Sequence, residues 1–115
     1  MSDPAATFVH DLVDKFEDLR PLLEEHTAYY EELLPHVFFG DLTRYVVSLF
    51  ASDDPQLRAE MNAIVAYLDG AYSTRAYEVK NLIGVSFVEN LPILDEPHAD
   101  IREALPPNLK PDDLG

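Results

Sequence analysis

The sequence predicts an all-α fold, a single compact bundle of five to six helices with antiparallel neighbours. Three observations predict it. Phe38, Leu42, Tyr45, Val46, Leu49 and Phe50 fall at i, i+4, i+7, i+8, i+11 and i+12, one continuous stripe of a helix whose other side carries Asp41, Arg44 and Ser48. Leu57, Met61, Ile64, Val65 and Leu68 repeat that spacing after a short link, as in an αα-hairpin. Prolines stand where these stripes begin, where a missing N–H costs a helix nothing.

The elements follow in order. Asp3-Pro4 is an N-cap with proline at the first helical position, and Phe8, Leu12, Phe16 and Leu19 continue as a stripe, so the first helix is expected over 4–19. Pro21 ends it. A second helix is expected over 21–34, with Leu22, His26, Tyr29, Tyr30 and Leu33 on one face and Glu24, Glu25, Glu31 and Glu32 elsewhere. Pro35 breaks the chain before the organising helix, in which Gly40 either admits a neighbouring backbone or delays the regular helix to Asp41. Ser52-Asp53-Asp54-Pro55 caps the fourth helix, and Gly70 is its expected stop. Ser73-Thr74 is the expected cap of the next, with Tyr72, Ala76, Val79, Ile83 and Phe87 on one stripe. Residues 83–88 also alternate as a strand would, but the unbroken pattern from Tyr72 favours helix, and one apolar on nearly all sides belongs in the middle of a bundle. Pro97 opens a short helix to 105 with Ile101 and Leu105 inward. The domain is expected to span 1–105, with 106–115 an extended, proline-rich tail.

Composition narrows the function. The chain has 115 residues, enough for one domain, and its 47% apolar content suits a globular core. No apolar run approaches the ~18 residues of a membrane span, and the first residues lack a basic secretory leader, so a cytoplasmic location is expected. No cysteine is present, which excludes disulfides, thiolate zinc sites and a cysteine nucleophile. Eight Lys and Arg against 22 Asp and Glu give a formal net charge of −14. Such a chain repels nucleic acid phosphates and anionic membranes and attracts a basic partner, although charge also serves simply to keep soluble proteins apart.

No motif identifies a reaction. The histidines, His10, His26, His36 and His98, form no H-E-x-x-H and no E-x-x-H pair, so no metal or other cofactor is expected. No serine lies in a G-x-S-x-G elbow, and the four glycines build no phosphate loop. No catalytic residue is assigned. Two places are candidates for function. Glu24, Glu25, Tyr29, Glu31 and Glu32 interleave carboxylates with tyrosine, as an interface for a basic protein would; a solvated helix face has the same composition. Glu89 closes the apolar run LIGVSFVENL, where a carboxylate needs a partner, and His36 with Arg44 would complete a buried polar cluster; surfacing at the helix end is the plainer alternative.

The segments ELLPHVFFGDLTRYV (32–46) and EVKNLIGVSFVENLP (78–92) resemble the two best-marked segments of a family of small, uncharacterised bacterial proteins. That family is associated with genomic neighbourhoods in which immunity proteins of polymorphic toxin systems are common, and the resemblance covers roughly residues 8–105. It implies a small bacterial domain acting as an immunity protein and supplies no catalytic residues. The expected function is therefore non-enzymatic binding of a basic, toxin-like protein. The alternatives are a small-molecule- or metal-binding helical domain, an enzyme with a site around His36, Arg44 and Glu89, and an acidic mimic of nucleic acid.

Overall fold

The computed structural model describes residues 3–92 and 96–109. Helices α1 (Pro4–Lys15), α2 (Arg20–Tyr30), α3 (Pro35–Ala51), α4 (Pro55–Thr74) and α5 (Tyr77–Asn81) follow one another, and α5 runs on into a π-helical turn, Leu82–Phe87. Short 3₁₀ turns cover Glu17–Leu19, Val88–Asn90, Ala99–Ala104 and Pro107–Leu109. The architecture is all-α, with no strand among the described residues. Residues 83–88 are helical.

Local chemistry sets the helix starts. Asp3 accepts from the Ala5 N–H at 3.1 Å, and Asp54 accepts from the Gln56 N–H at 2.9 Å, each with proline next in sequence. Helix α1 is shorter than its stripe suggests. A proline at 21 in a helix continuous from Pro4 would clash with the Glu17 carbonyl. The chain instead breaks at Phe16 and restarts at Arg20, which places Pro21 in a first turn. The Arg20 guanidinium clamps this corner, donating to Asp14 at 2.9 Å and to Glu17 at 3.0 Å.

Helix α2 also stops early. Glu31 turns left-handed with φ 61°, and Leu34 is extended, as the residue before Pro35 prefers. At Gly40 neither sequence expectation holds. Helix α3 is regular from Pro35, and a Cβ at Gly40 would meet only side chains, Asn90 at 3.7 Å and Arg44 at 4.0 Å, both ordinary contacts. Helix α4 passes through Gly70 to Thr74, because buried Ala71 extends the stripe of Ile64 and Leu68 and rewards one more turn. Ser73 and Thr74 therefore end α4 and do not cap α5.

Helix α3 occupies the middle. It buries Phe38, Phe39, Leu42, Val46, Leu49 and Phe50, and α1, α2, α4 and the π turn all pack on it. Its pairing with α4 is antiparallel: Tyr45 reaches Glu60 at 2.7 Å, and Arg58 reaches the Phe50 carbonyl at 2.8 Å. Phe8 of α1 sits 6.1 Å from the Phe39 ring and stacks on Tyr67 at 5.8 Å. The packed body continues past 105. Leu109 is fully buried, and Asn108 donates to Asp69 at 3.3 Å and to Ser73 at 2.9 Å. An apolar Leu109 within reach of α4 gains more from burial than an extended tail gains in freedom. The remainder of the expected tail, 110–115, lies outside the described residues.

Leu42 has no solvent exposure and sits at the centre of this packing. Leu42→Ala is expected to cost about 2–5 kcal/mol. Urea denaturation monitored by circular dichroism measures it; a loss below about 0.5 kcal/mol, the scale of a surface change, would place this stripe outside the core.

Candidate functional site

The α2 face that the sequence singles out is solvent-exposed. Glu24, Glu25, Glu31 and Glu32 are all exposed, and Tyr29 is 78% exposed. Tyr29 and Tyr30 meet edge-to-face with ring centroids 4.7 Å apart. An αL conformation costs a non-glycine residue roughly 1–2 kcal/mol, yet Glu31 adopts it, and so the acidic surface carries on round the corner from α2 into the 31–34 connection.

Beneath this face lies the residue whose role the sequence hid. His26 is 3% exposed, wedged against Tyr30 (4.9 Å between centroids) and edge-on to Phe38 (5.8 Å). Its Nε2 accepts the Leu34 N–H at 3.0 Å. That bond ties the end of α2 to the start of α3 and fixes the ring as the Nδ1–H tautomer. The signal was present: Leu19, Leu23 and His26 fall at i, i+4 and i+7 on the inward face.

Between α2 and α3 opens a cleft of about 510 Å³, lined by His26, Tyr29 and Tyr30 on one side and by Asp41, Arg44 and Tyr45 on the other, with Glu25 at its edge. Arg44 pairs with Asp41 one helical turn away. The half-buried Tyr45 hydroxyl donates to Glu60 at 2.7 Å. Burial first, then the hydrogen bond and charge of Glu60, push the Tyr45 phenol well above its ordinary value of 10. At the far end of α2, the hydrogen bond from Arg20 and then its charge pull the Glu17 carboxyl below its ordinary range.

The second sequence candidate does not assemble. His36, Arg44 and Glu89 are each exposed. His36 and Arg44 are eight residues apart on α3, about 12 Å along its axis, and turn to different partners. The His36 Nδ1 hydrogen-bonds the Ser86 hydroxyl, and Arg44 takes Asp41. Glu89 falls on the 3₁₀ turn after the π segment and faces another cleft, of about 690 Å³, beside Tyr77, Lys80 and Arg102. Among the described residues the buried polar side chains are instead His26, Thr43 and Ser86. Thr43 Oγ1 lies 2.9 Å from the Phe39 carbonyl, 3.2 Å from Phe87 and 3.4 Å from Ser86, at the seam between α3 and the π turn. His10 and His98 are exposed. Among the described residues no three His, Cys, Asp or Glu side chains are placed to hold a metal ion, and no helix is long and apolar enough to cross a membrane.

Residues 9–112 match the family described as a domain of unknown function, DUF7674. The chain belongs to that family. The matched span takes in the acidic α2 face, the cleft, the organising helix and the π turn. No curated protein and no solved structure matches the chain.

The raised Tyr45 pKa has a signed consequence. Above pH ~10 the unfolded phenol loses its proton while the folded one keeps it, so the folded state binds more protons and stability falls as pH rises. The contribution is whole below pH ~10 and is lost through the folded-state pKa above it. Tyr45→Phe removes this group, and its stability should decline less steeply than the parent's between neutral and strongly alkaline pH. Paired denaturation series across that range check it; parallel curves would refute the coupling.

Proposed function

We propose that this chain is a non-enzymatic protein-binding domain whose acidic α2 face docks a basic protein. In its finer form the proposal is that the domain is a bacterial immunity protein, acting in the cytoplasm by occluding a basic toxin. The observation that carries the reading is the exposure of Glu24, Glu25, Glu31 and Glu32 around the protruding Tyr29, on a chain of net charge −14. Tyrosine supplies rigid contact area at interfaces, and like-signed carboxylates steer an oppositely charged partner into place. The resemblance of residues 32–46 and 78–92 to proteins from toxin-immunity neighbourhoods points the same way. The reading of an enzyme or ligand-binding domain built on His36, Arg44 and Glu89 loses its residues, because the three do not converge.

The test begins by capturing partners from the native host with the parent protein and with a Glu24→Lys, Glu31→Lys, Glu32→Lys variant. Exposed charges contribute little to stability, so the variant should fold normally. A basic protein retained by the parent and lost by the variant is the expected result. Its association rate should fall as salt rises, since screening shortens electrostatic reach to about 8 Å at physiological ionic strength. A rate indifferent to salt and to the three reversals would refute docking through this face.

A further inference from the structure

A cation on this chain has carboxylates in excess to choose from, 22 against eight Lys and Arg. Arg20, Arg44 and Arg75 take them. Lys80 and Arg102 form no ion pair among the described residues, and both line the cleft of about 690 Å³ beside α5 and the π turn. Each is held in place by other means. The Lys80 ammonium stands 5.7 Å from the centroid of the Tyr72 ring. Arg102 donates through Nε to the Pro92 carbonyl at 2.6 Å and through Nη2 to the Leu91 carbonyl at 3.5 Å. Carbonyl dipoles aim a guanidinium while leaving its charge uncancelled and its other N–H groups free to donate. Glu89 lines the same cleft and pairs with neither cation. The floor is open as well. Gly84 lies inside the π turn, where a glycine weakens a helical segment. No neighbouring backbone needs the room, because a Cβ there would meet only the Tyr72 ring, at 4.0 Å. Gly84 and Tyr72 both face the cleft, so the missing side chain enlarges it. Tyr77 and Val85, also lining it, are 75% and 45% exposed, apolar area that an occupant would cover. Segments of π-helix recur at functional sites.

We propose that this cleft binds a free amino acid with a large apolar or aromatic side chain. Its carboxylate lies between Lys80 and Arg102, its ammonium faces Glu89, and its side chain lies over Gly84 against Tyr77 and Val85. The chemistry selects each part. A plain organic anion would have to approach a chain of net charge −14, whose field repels it. A zwitterion has no net charge to be repelled, and the cleft offers two cations to its carboxylate and one carboxylate to its ammonium. The planar fork of an arginine matches a carboxylate. The volume falls in the range of about 300–1,000 Å³ typical of small-ligand sites. None of these residues belongs to the acidic α2 face, so this site and the docking of a basic partner stand or fall separately.

The probes are phenylalanine and leucine, each titrated into the uniformly ¹⁵N-labelled full-length protein and followed by NMR. The expected result is saturable amide shifts centred on Lys80, Asn81, Gly84, Val85 and Arg102, with dissociation on the order of 1 mM for a ligand this small. 3-Phenylpropanoate lacks the ammonium and phenethylamine lacks the carboxylate; each should bind about tenfold more weakly than phenylalanine. Lys80→Met and Glu89→Gln change exposed side chains and should leave the fold intact. Lys80→Met should weaken phenylalanine about tenfold. Glu89→Gln should weaken phenylalanine and strengthen 3-phenylpropanoate, an inversion that damage to the fold does not produce. No saturable shift with either amino acid up to about 50 mM, 3-phenylpropanoate binding the parent as tightly as phenylalanine, or Glu89→Gln moving both affinities in the same direction would each overturn the proposal.

Discussion

One buried hydroxyl proton joins the two halves of this domain. Thr43 lies on the most enclosed side of α3, and its Oγ1 is within reach of carbonyls from its own helix and from the π turn. The last carbonyls of any helical segment lack intrahelical donors. At the end of the π turn the Phe87 carbonyl shares the single Thr43 hydroxyl proton with Phe39, and the Ser86 carbonyl accepts from the Asn90 amide at 2.7 Å. On the other side the Ser86 hydroxyl meets His36. With those groups satisfied, a segment as apolar as Leu82–Phe87 can be packed against α3 without leaving polar backbone stranded. Everything else in the bundle is arranged around that joined pair.

The second constraint is the run of prolines. Each cannot sit inside a helix, so each fixes a corner: Pro21 between α1 and α2, Pro35 between α2 and α3, Pro55 between α3 and α4. Proline only says where a helix must start; other residues decide how the preceding one ends. Arg20 holds the first corner with two carboxylates, His26 holds the second through the Leu34 N–H, and Ser52 with Asp54 holds the third. The second corner is where structure and proposed function meet. The residue that closes it also lines the cleft, and the left-handed Glu31 that begins it belongs to the acidic surface.

Charge and core are separated cleanly in this molecule. Among the described residues no Asp or Glu is buried in the core built from Phe8, Phe38, Phe39, Leu42 and Phe87. The surface can therefore be strongly biased toward one class of partner while burial supplies the stability. Tyrosines occupy the boundary. Tyr45 and Tyr67 pack against the core with their hydroxyls on Glu60 and Arg75, whereas Tyr29 is 78% exposed.

Periodicity was enough to indicate an all-α fold, to mark 31–50 as the stretch the fold is organised around and to pair α3 with α4 as a hairpin, because burying one stripe of a helix writes a 3.6-residue repeat into the sequence. The exposure of Glu24, Glu25, Glu31 and Glu32 followed from the same logic, since unpaired carboxylates stay in water, whereas Tyr29 and Tyr30, read onto one face with Leu22, His26 and Leu33, stand exposed while Leu23 and His26 turn inward. Helix ends were less legible. Gly70 reads as a stop, yet the burial of Ala71 carried α4 past it, and the packing of Leu109 extended the body into the expected tail. The polar interior could not be read in advance. Whether His36, Arg44 and Glu89 meet depends on how far α3 and the π turn are rotated against each other, and a π turn shifts that rotation without any marker in the sequence. The inward position of His26 was legible from Leu19 and Leu23, but its bond to the Leu34 N–H, eight residues away, was not. Long-range hydrogen bonds of this kind have no local periodicity, so only the tertiary structure decided them.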